Sequence, residues 1–317
     1  MGACHTYNVY GLSLQVPFVC AGLSPGDPDR SPDVVVVDAE LPEFLVDPEI
    51  RGDGFDAAPG RLLLRFGRLS GRFLIENGRL VTVQRSPMAQ DAALGFHLAN
   101  SVMAAVMRQR GYLVMHASVA ARGNSAVLLT GVSGAGKSTT LAALCARGWS
   151  ILSDDVAVLQ RSPEGEILVL PGVPQVSLFE HTAKELDLDI EGYPLYPWRR
   201  MKALISVPPP VSSQPVPLRR IFILELGRKP SLESETVQGA QRFSLVSDCL
   251  YGPIIPSEYA GLLPLQATLA NQIPIVSLRR PSQCWSVDEV VAQIANDVFP
   301  FHDMVESGGV AGNATEG

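Results

Sequence analysis

Over roughly the first 88 residues the pattern is one of short apolar runs and alternation. Asp33-Val-Val-Val-Val37 is an apolar run of strand length, and Arg61–Arg68 and Gly71–Gln84 carry alternating apolar positions. Asn77-Gly78 separates Phe73-Leu-Ile75 from Leu80-Val-Thr-Val83, and that dipeptide favours the positive φ angles of a tight hairpin. Pro and Gly clusters at 25–32 and 48–60 read as loops. Residues 1–88 are therefore expected to form a β-rich N-terminal lobe with a packing or recognition role, since no chemistry-bearing constellation falls in them. From residue 89 the period changes. Ala89–Arg110 sets Leu94, Leu98, Val102 and Val106 on one stripe, predicting an amphipathic helix closed by Gly111. His97 lies beside the stripe, where a structural role is the simpler reading.

The next elements follow one another closely. Tyr112–Ala120 reads as a strand, Arg122-Gly-Asn-Ser125 as a turn, and Ala126–Leu129 as a buried strand. Next come Gly131, Val132, Ser133, Gly134, Ala135, Gly136, Lys137, Ser138 and Thr139, which fit G-x-x-x-x-G-K-[ST]. A helical pattern with Leu141, Leu144 and Cys145 on one face succeeds it, and Gly148 ends it. The bare pattern arises by chance in roughly 1% of chains this long; strand before and helix after make chance rarer. Glycines let backbone N–H groups converge on phosphate oxygens, and the helix start adds partial positive charge. Lys137 would reach the β- and γ-phosphates of ATP, and the Ser138 hydroxyl would ligate Mg²⁺.

Two further places bear on this loop. If Gly123-Asn124 is a two-residue turn, paired positions sum to 247, and His116 falls across from Gly131. A core histidine is the usual reading, and the register moves His116 towards the site. Trp149–Leu152 is a short strand that ends at Ser153-Asp154-Asp155. A strand–helix–strand crossover would return it as a parallel neighbour of the loop strand, with its carboxyl end beside the phosphates. Of two adjacent acids there, one suits a metal ion and the other an attacking hydroxyl's proton. A solvated acidic turn is the alternative. Val156–Leu159 and Glu166–Leu170 form a hairpin, and Thr182–Leu188 a helix. Tyr193–Lys202 is a loop rich in aromatics and cations, and Leu218–Leu226 a buried strand opened by Arg219 and Arg220. Those arginines either neutralise phosphate charge or are solvated at the surface. Helices at 241–252, 258–271 and 287–299 and a strand at 273–278 complete the pattern, before a Gly-rich stretch at 305–317 expected to be a flexible tail.

Composition narrows the classes. The 317 residues are 46% hydrophobic, enough for a large core, and the net charge of −7 without a basic patch argues against nucleic acid. Five scattered cysteines without C-x-x-C spacing suit a reducing, cytoplasmic setting. No apolar run approaches the ~18 residues that span a bilayer, so no membrane partner is expected.

With these residues in hand, positions 89–300 resemble the HPr kinase/phosphorylase superfamily, and more closely its shorter relatives found beside lasso-peptide gene clusters. The most specific parts are Met115-His-Ala-Ser118, the Gly131–Ser138 loop and Leu152-Ser-Asp-Asp155. His116 precedes Lys137 by 21 residues and Asp155 follows it by 18. Pro171–Phe179 and Pro217–Leu224 look like two motifs of the lasso-associated relatives. The resemblance implies an α/β fold with a mixed, bent sheet around a P-loop, shared with phosphoenolpyruvate carboxykinases. The kinase domain would span 89–304. It also implies ATP- and Mg²⁺-dependent phosphorylation of a serine in a peptide or protein, a lasso-precursor C-terminal serine among the candidates. By position, Asp155 would be the general base, His116 would support phosphate or the Asp155 geometry, and Arg219 or Arg220 would contact phosphate. HPr kinases carry a Mg²⁺-binding glutamate where this chain reads Val169-Leu-Pro-Gly172, so the metal would rest on Ser138 and Asp154. HPr kinases are hexamers, which leaves a homo-oligomer open. A small-molecule kinase and a nucleotide-binding module without transfer activity are the competing readings.

Overall fold

The computed structural model describes residues 4–193, 195–196, 202–206 and 214–299. The 305–317 tail, most of the Tyr193–Lys202 loop and the prolines at 208–210 lie outside these residues. Strands β1 His5–Val9, β2 Leu12–Val16, β3 Ser24–Pro25, β4 Val34–Asp38, β5 Ile50–Gly52, β6 Phe55–Ala58, β7 Arg61–Arg65, β8 Gly71–Glu76 and β9 Leu80–Arg85 build one sheet. Their order is β3-β1-β2-β4-β9-β8-β7-β6-β5. Pairing is antiparallel except where β4 runs parallel to β2 and β9. The β8–β9 hairpin turns at Asn77 and Gly78, with φ of 51° and 63°.

A helical rod follows: α1 Asp91–His97, a π-helical turn at Leu98–Val102, and α2 Met103–Gln109. The sequence predicts one regular helix here; the wider turn interrupts it. Leu94, Leu98, Val102 and Val106 pack with Leu14, Phe73, Ile75 and Val81 of the sheet in one core. The apolar stripe is therefore what seats the rod on the strands.

The second large sheet is mixed. It contains β10 Leu113–Met115, β11 Ser118–Arg122, β12 Ser125–Thr130, β13 Ser150–Ser153, β14 Ala157–Arg161, β15 Ile167–Leu170 and β19 Val216–Gly227. Strands β20 Glu233–Thr236 and β21 Ile275–Pro281 join beside β19. A three-stranded sheet of β16 Gln175–Phe179, β17 Leu195–Tyr196 and β18 Lys202–Ser206 lies alongside. The helices are α3 Lys137–Cys145, α4 Glu180–Glu185, α5 Gln241–Asp248, α6 Pro256–Gln272 and α7 Val287–Val298. One face of the large sheet packs Leu129 and Phe222 against Leu141 and Leu144 of α3 and Val290 and Ile294 of α7. The other packs Leu128 and Ile221 against Val246 of α5 and Leu262 and Leu269 of α6. Strands buried on both faces explain the near-continuous apolar runs at 126–129 and 221–224.

Two topological expectations change. The strand predicted over 112–120 divides at His116-Ala117: β10 pairs with β14, whereas β11 pairs with β12 and β13. The β13 strand is parallel to β12 but not its neighbour, because β11 lies between them, antiparallel to both. The carboxyl ends of β12 and β13 still face the same edge. Among the described residues no helix is long and apolar enough to cross a membrane.

Candidate active site

The glycine-rich loop connects the end of β12 to the start of α3. Gly131, Gly134 and Gly136 have φ of 136°, 89° and 105°. A Cβ on Gly131 would lie 2.3 Å from the Leu224 carbonyl oxygen, so backbone from β19 leaves no room for a side chain there. Lys137 is 7% exposed, and its Nζ donates to the carbonyls of Gly131 (2.8 Å) and Val132 (3.4 Å). The ammonium is thus held inside the loop's own curve. Ser133, Gly134, Gly136, Lys137, Ser138 and Thr139 line a cavity of about 550 Å³. Gly131, Val132 and Ala135 shape the loop rather than line that cavity, Ala135 being fully buried.

The paired acids reach the same place by different routes. Asp154 turns inward. Its Oδ1 accepts from Ser118 Oγ at 2.6 Å and from Ser138 Oγ at 3.2 Å, and its Oδ2 accepts from the Ser177 N–H at 3.1 Å. Burial, and then the charge of Asp155, raise its carboxyl above the ordinary carboxylate value, while the three hydrogen bonds oppose the rise. Asp155 lines the cavity with a left-handed φ of 71°. That region costs a non-glycine residue energy, and Asp tolerates it best along with Asn. Consecutive side chains thereby diverge, one to the loop serine and one to the cavity.

His116 joins them. The β11–β12 register runs from Ser118↔Leu129 to Arg122↔Ser125, the sum of 247 that the turn implied. The Thr130 hydroxyl donates to the His116 carbonyl at 3.1 Å, and the His116 N–H donates to Cys249 C=O at 2.7 Å. His116 Nδ1 lies 3.1 Å from the Asp155 carbonyl. A carbonyl only accepts, so Nδ1 carries the proton and a neutral ring keeps its lone pair on Nε2. Tyr251 stands against the imidazole with ring centroids 5.8 Å apart, and its hydroxyl meets Ser101 Oγ at 3.2 Å.

Arg219 and Arg220 are not brought to this place. Arg220 pairs with Val127 near the start of β12. Four residues of strand, about 13 Å at ~3.3 Å per residue, separate that level from Gly131. Arg219 is exposed and faces Glu166 at 3.8 Å. The arginine at the loop is one that sequence reasoning passed over. Arg280, at the end of β21, lines the cavity and donates from Nε to the Ala135 carbonyl at 2.9 Å. The chain β12–β19–β21 is parallel throughout, so the rule that singled out Asp155 at a strand's carboxyl end also points to Arg280. Beyond it, Trp285 and Ser286 border the same side; Ser286 Oγ is buried with no hydrogen-bond partner among the described residues.

Hard oxygen donors, a serine hydroxyl and a carboxylate 3.2 Å apart beside the loop, suit Mg²⁺. Among the described residues no group of three His, Cys, Asp or Glu is placed to hold a metal by itself, so further ligands would have to come from phosphate oxygens and water.

No family model matches the chain, and no curated protein matches it. Among solved structures it is similar to the HPr(Ser) kinase/phosphatase from Coxiella burnetii, at 15% identity. The match covers 61% of this chain and 95% of that one, with a TM-score of 0.33. A likeness at that level is distant and carries neither activity nor residue roles across.

Proposed function

We propose that the protein is an ATP- and Mg²⁺-dependent phosphotransferase acting on an alcohol, with the serine of a peptide or protein as the leading acceptor. One observation carries the reading: Lys137, Ser138, Asp155 and His116, scattered over 40 residues of sequence, line one cavity at the mouth of a glycine-rich turn. The loop N–H groups and Lys137 take the β- and γ-phosphates, Lys137 exchanging its carbonyl partners for phosphate oxygens. Ser138 and Asp154 would hold Mg²⁺, which would supply charge neutralisation to the transferring group. Arg280, Trp285 and Ser286 border the nucleoside side, where the unpartnered Ser286 hydroxyl has a use. Asp155 orients the acceptor hydroxyl and takes its proton, and the His116 hydrogen bond fixes the backbone from which Asp155 projects. Little covalent work falls to the protein, and positioning supplies most of the rate.

A small-molecule alcohol is the second reading, favoured by the polar walls around Asp155. The loop that would make a peptide groove, Tyr193–Lys202, lies mostly outside the described residues. Transfer is tested with labelled ATP and candidate acceptors. Asp155→Asn is expected to bind ATP within about threefold of the parent and to lose 10²-fold or more, on the order of a general-base contribution, in transfer. Lys137→Ala is expected to lose transfer by about 10²-fold or more through the phosphates. Normal transfer by Asp155→Asn would remove the assigned base.

A further inference from the structure

The cavity has a second wall, and the rod that follows the N-terminal sheet provides it. Between Ala93 and Arg108 the residues that are not buried are Phe96, His97, Asn100 and Ser101, and all four line the cavity. His97, Asn100 and Ser101 are spaced i, i+3, i+4, one face of a helix. The π-helical turn at Leu98–Val102 sits within this stretch, and single π turns recur at functional sites. Asn100 Nδ2 donates to the Phe96 carbonyl at 2.9 Å. Phe66, from the N-terminal sheet region, stacks on His97 with centroids 3.8 Å apart and planes 15° from parallel. Ser101 reaches Tyr251, Tyr251 reaches His116, and His116 reaches Asp155. The wall is thus linked to the backbone that carries Asp155 by a continuous chain of contacts.

Its charge differs from that of the loop side. The cations that line the cavity, Lys137, Lys202 and Arg280, lie on other elements. This wall offers an amide, two hydroxyls, an imidazole and aromatic faces, with no Asp, Glu, Lys or Arg. Polyphosphate belongs where the cations are. A wall without Asp, Glu, Lys or Arg suits a neutral polar group that hydrogen-bonds at its edges and lies flat against a ring.

Building on the phosphotransferase reading, we infer that Phe66, His97, Asn100, Ser101 and Tyr251 form the acceptor subsite. The acceptor is an alcohol whose immediate neighbours are uncharged: a seryl side chain flanked by neutral residues, or a neutral polyol. The γ-phosphoryl group leaves the ADP oxygen and bonds to the acceptor oxygen, and the hydroxyl proton passes to Asp155.

The test uses the full chain, γ-labelled ATP and a synthetic peptide library with one serine and randomised flanks, alongside glycerol and inositol as neutral polyols. Expected is label on neutral-flanked peptides or on the polyols, at least about tenfold above peptides with Asp, Glu, Lys or Arg beside the serine. For the preferred acceptor, Ser101→Ala and Asn100→Ala are expected to raise KM about tenfold, the effect of one lost hydrogen bond, with the KM for ATP within about twofold. His97→Ala gives a larger rise if it stays folded by thermal melting; the two milder variants decide the matter if it does not. Preference for charged flanks overturns the subsite. So does a variant that shifts ATP rather than acceptor affinity, which would place the nucleoside on this wall. If the parent binds ATP yet labels no acceptor, the phosphotransferase reading itself falls, and the subsite with it.

Discussion

Asp154 shows how much of the site turns on a single side chain. It receives three hydrogen bonds from three separate segments, at Ser118, Ser138 and Ser177. An unfolded chain releases the Asp154 proton near 3.8, whereas burial and Asp155 raise the folded value. Between those two values the folded state holds more protons than the unfolded one, so this residue's contribution to stability falls as pH rises through the window above 3.8 and is level beyond it. Asp154→Asn removes that titration. Its hydrogen bonds are poorer, so a uniform loss of about 1–3 kcal/mol is expected. The gap to the parent should then narrow as pH rises, in denaturation curves taken between about pH 4 and pH 8. Parallel curves would show that Asp154 titrates as an exposed acid. The adjacency of the two acids was legible in the sequence. Which one turns inward was not, because the left-handed backbone at Asp155 depends on the surrounding strands rather than on local propensity.

At the scale of elements, the strand–turn–helix of residues 126–145 and the β11–β12 hairpin were readable because local chemistry fixes them: glycine in the turns, apolar runs beside them. The neighbours of β13 were not, since a crossover fixes direction but leaves open an interposed strand such as β11. The break at His116-Ala117 is hidden in the sequence for the same reason. A strand buried on both faces keeps its apolar run when it changes partners in mid-course, and only the pairings with β14 and β12 reveal the change. Arg280 belongs to no motif and lies just past the strand expected at 273–278; only the parallel pairing of β21 with β19 sets it beside the loop. The loop makes the sharpest prediction at this scale. Gly131→Ala puts a methyl 2.3 Å from the Leu224 carbonyl at a φ of 136°. The loop or β19 must shift, at a cost of about 1–3 kcal/mol in stability together with weakened ATP binding. Thermal melting with and without nucleotide checks both; an unchanged melt would mean that the loop and β19 are not in close contact.

In the whole molecule, the site exists because the N-terminal rod and the second sheet are held face to face, and a buried ion pair crosses that junction. Arg108, on α2, meets Glu258, on α6, at 3.0 Å, with side chains 9% and 13% exposed. The same guanidinium donates to the Tyr251 carbonyl at 3.1 Å, tying the junction to a residue that lines the cavity. Nothing in the sequence announces a pair 150 residues apart. Burial raises the Glu258 carboxyl and the Arg108 charge pulls it back. Arg108→Met leaves the carboxylate buried without its cation, at an expected cost of about 3–5 kcal/mol. That cost should shrink as pH falls and Glu258 takes up a proton, since the unpaired acid then holds its proton in the folded state at higher pH than in the unfolded chain. Replacing both residues by methionine removes two desolvated charges together and should recover most of the loss. Urea denaturation of the two variants and the parent decides between a pair that stabilises through mutual neutralisation and one whose packing alone matters. If the double variant is as unstable as Arg108→Met, the hydrogen bond to Tyr251 rather than the charge holds the junction. Arg108→Lys, which keeps the charge but gives up the forked geometry, should then fail as badly as Arg108→Met.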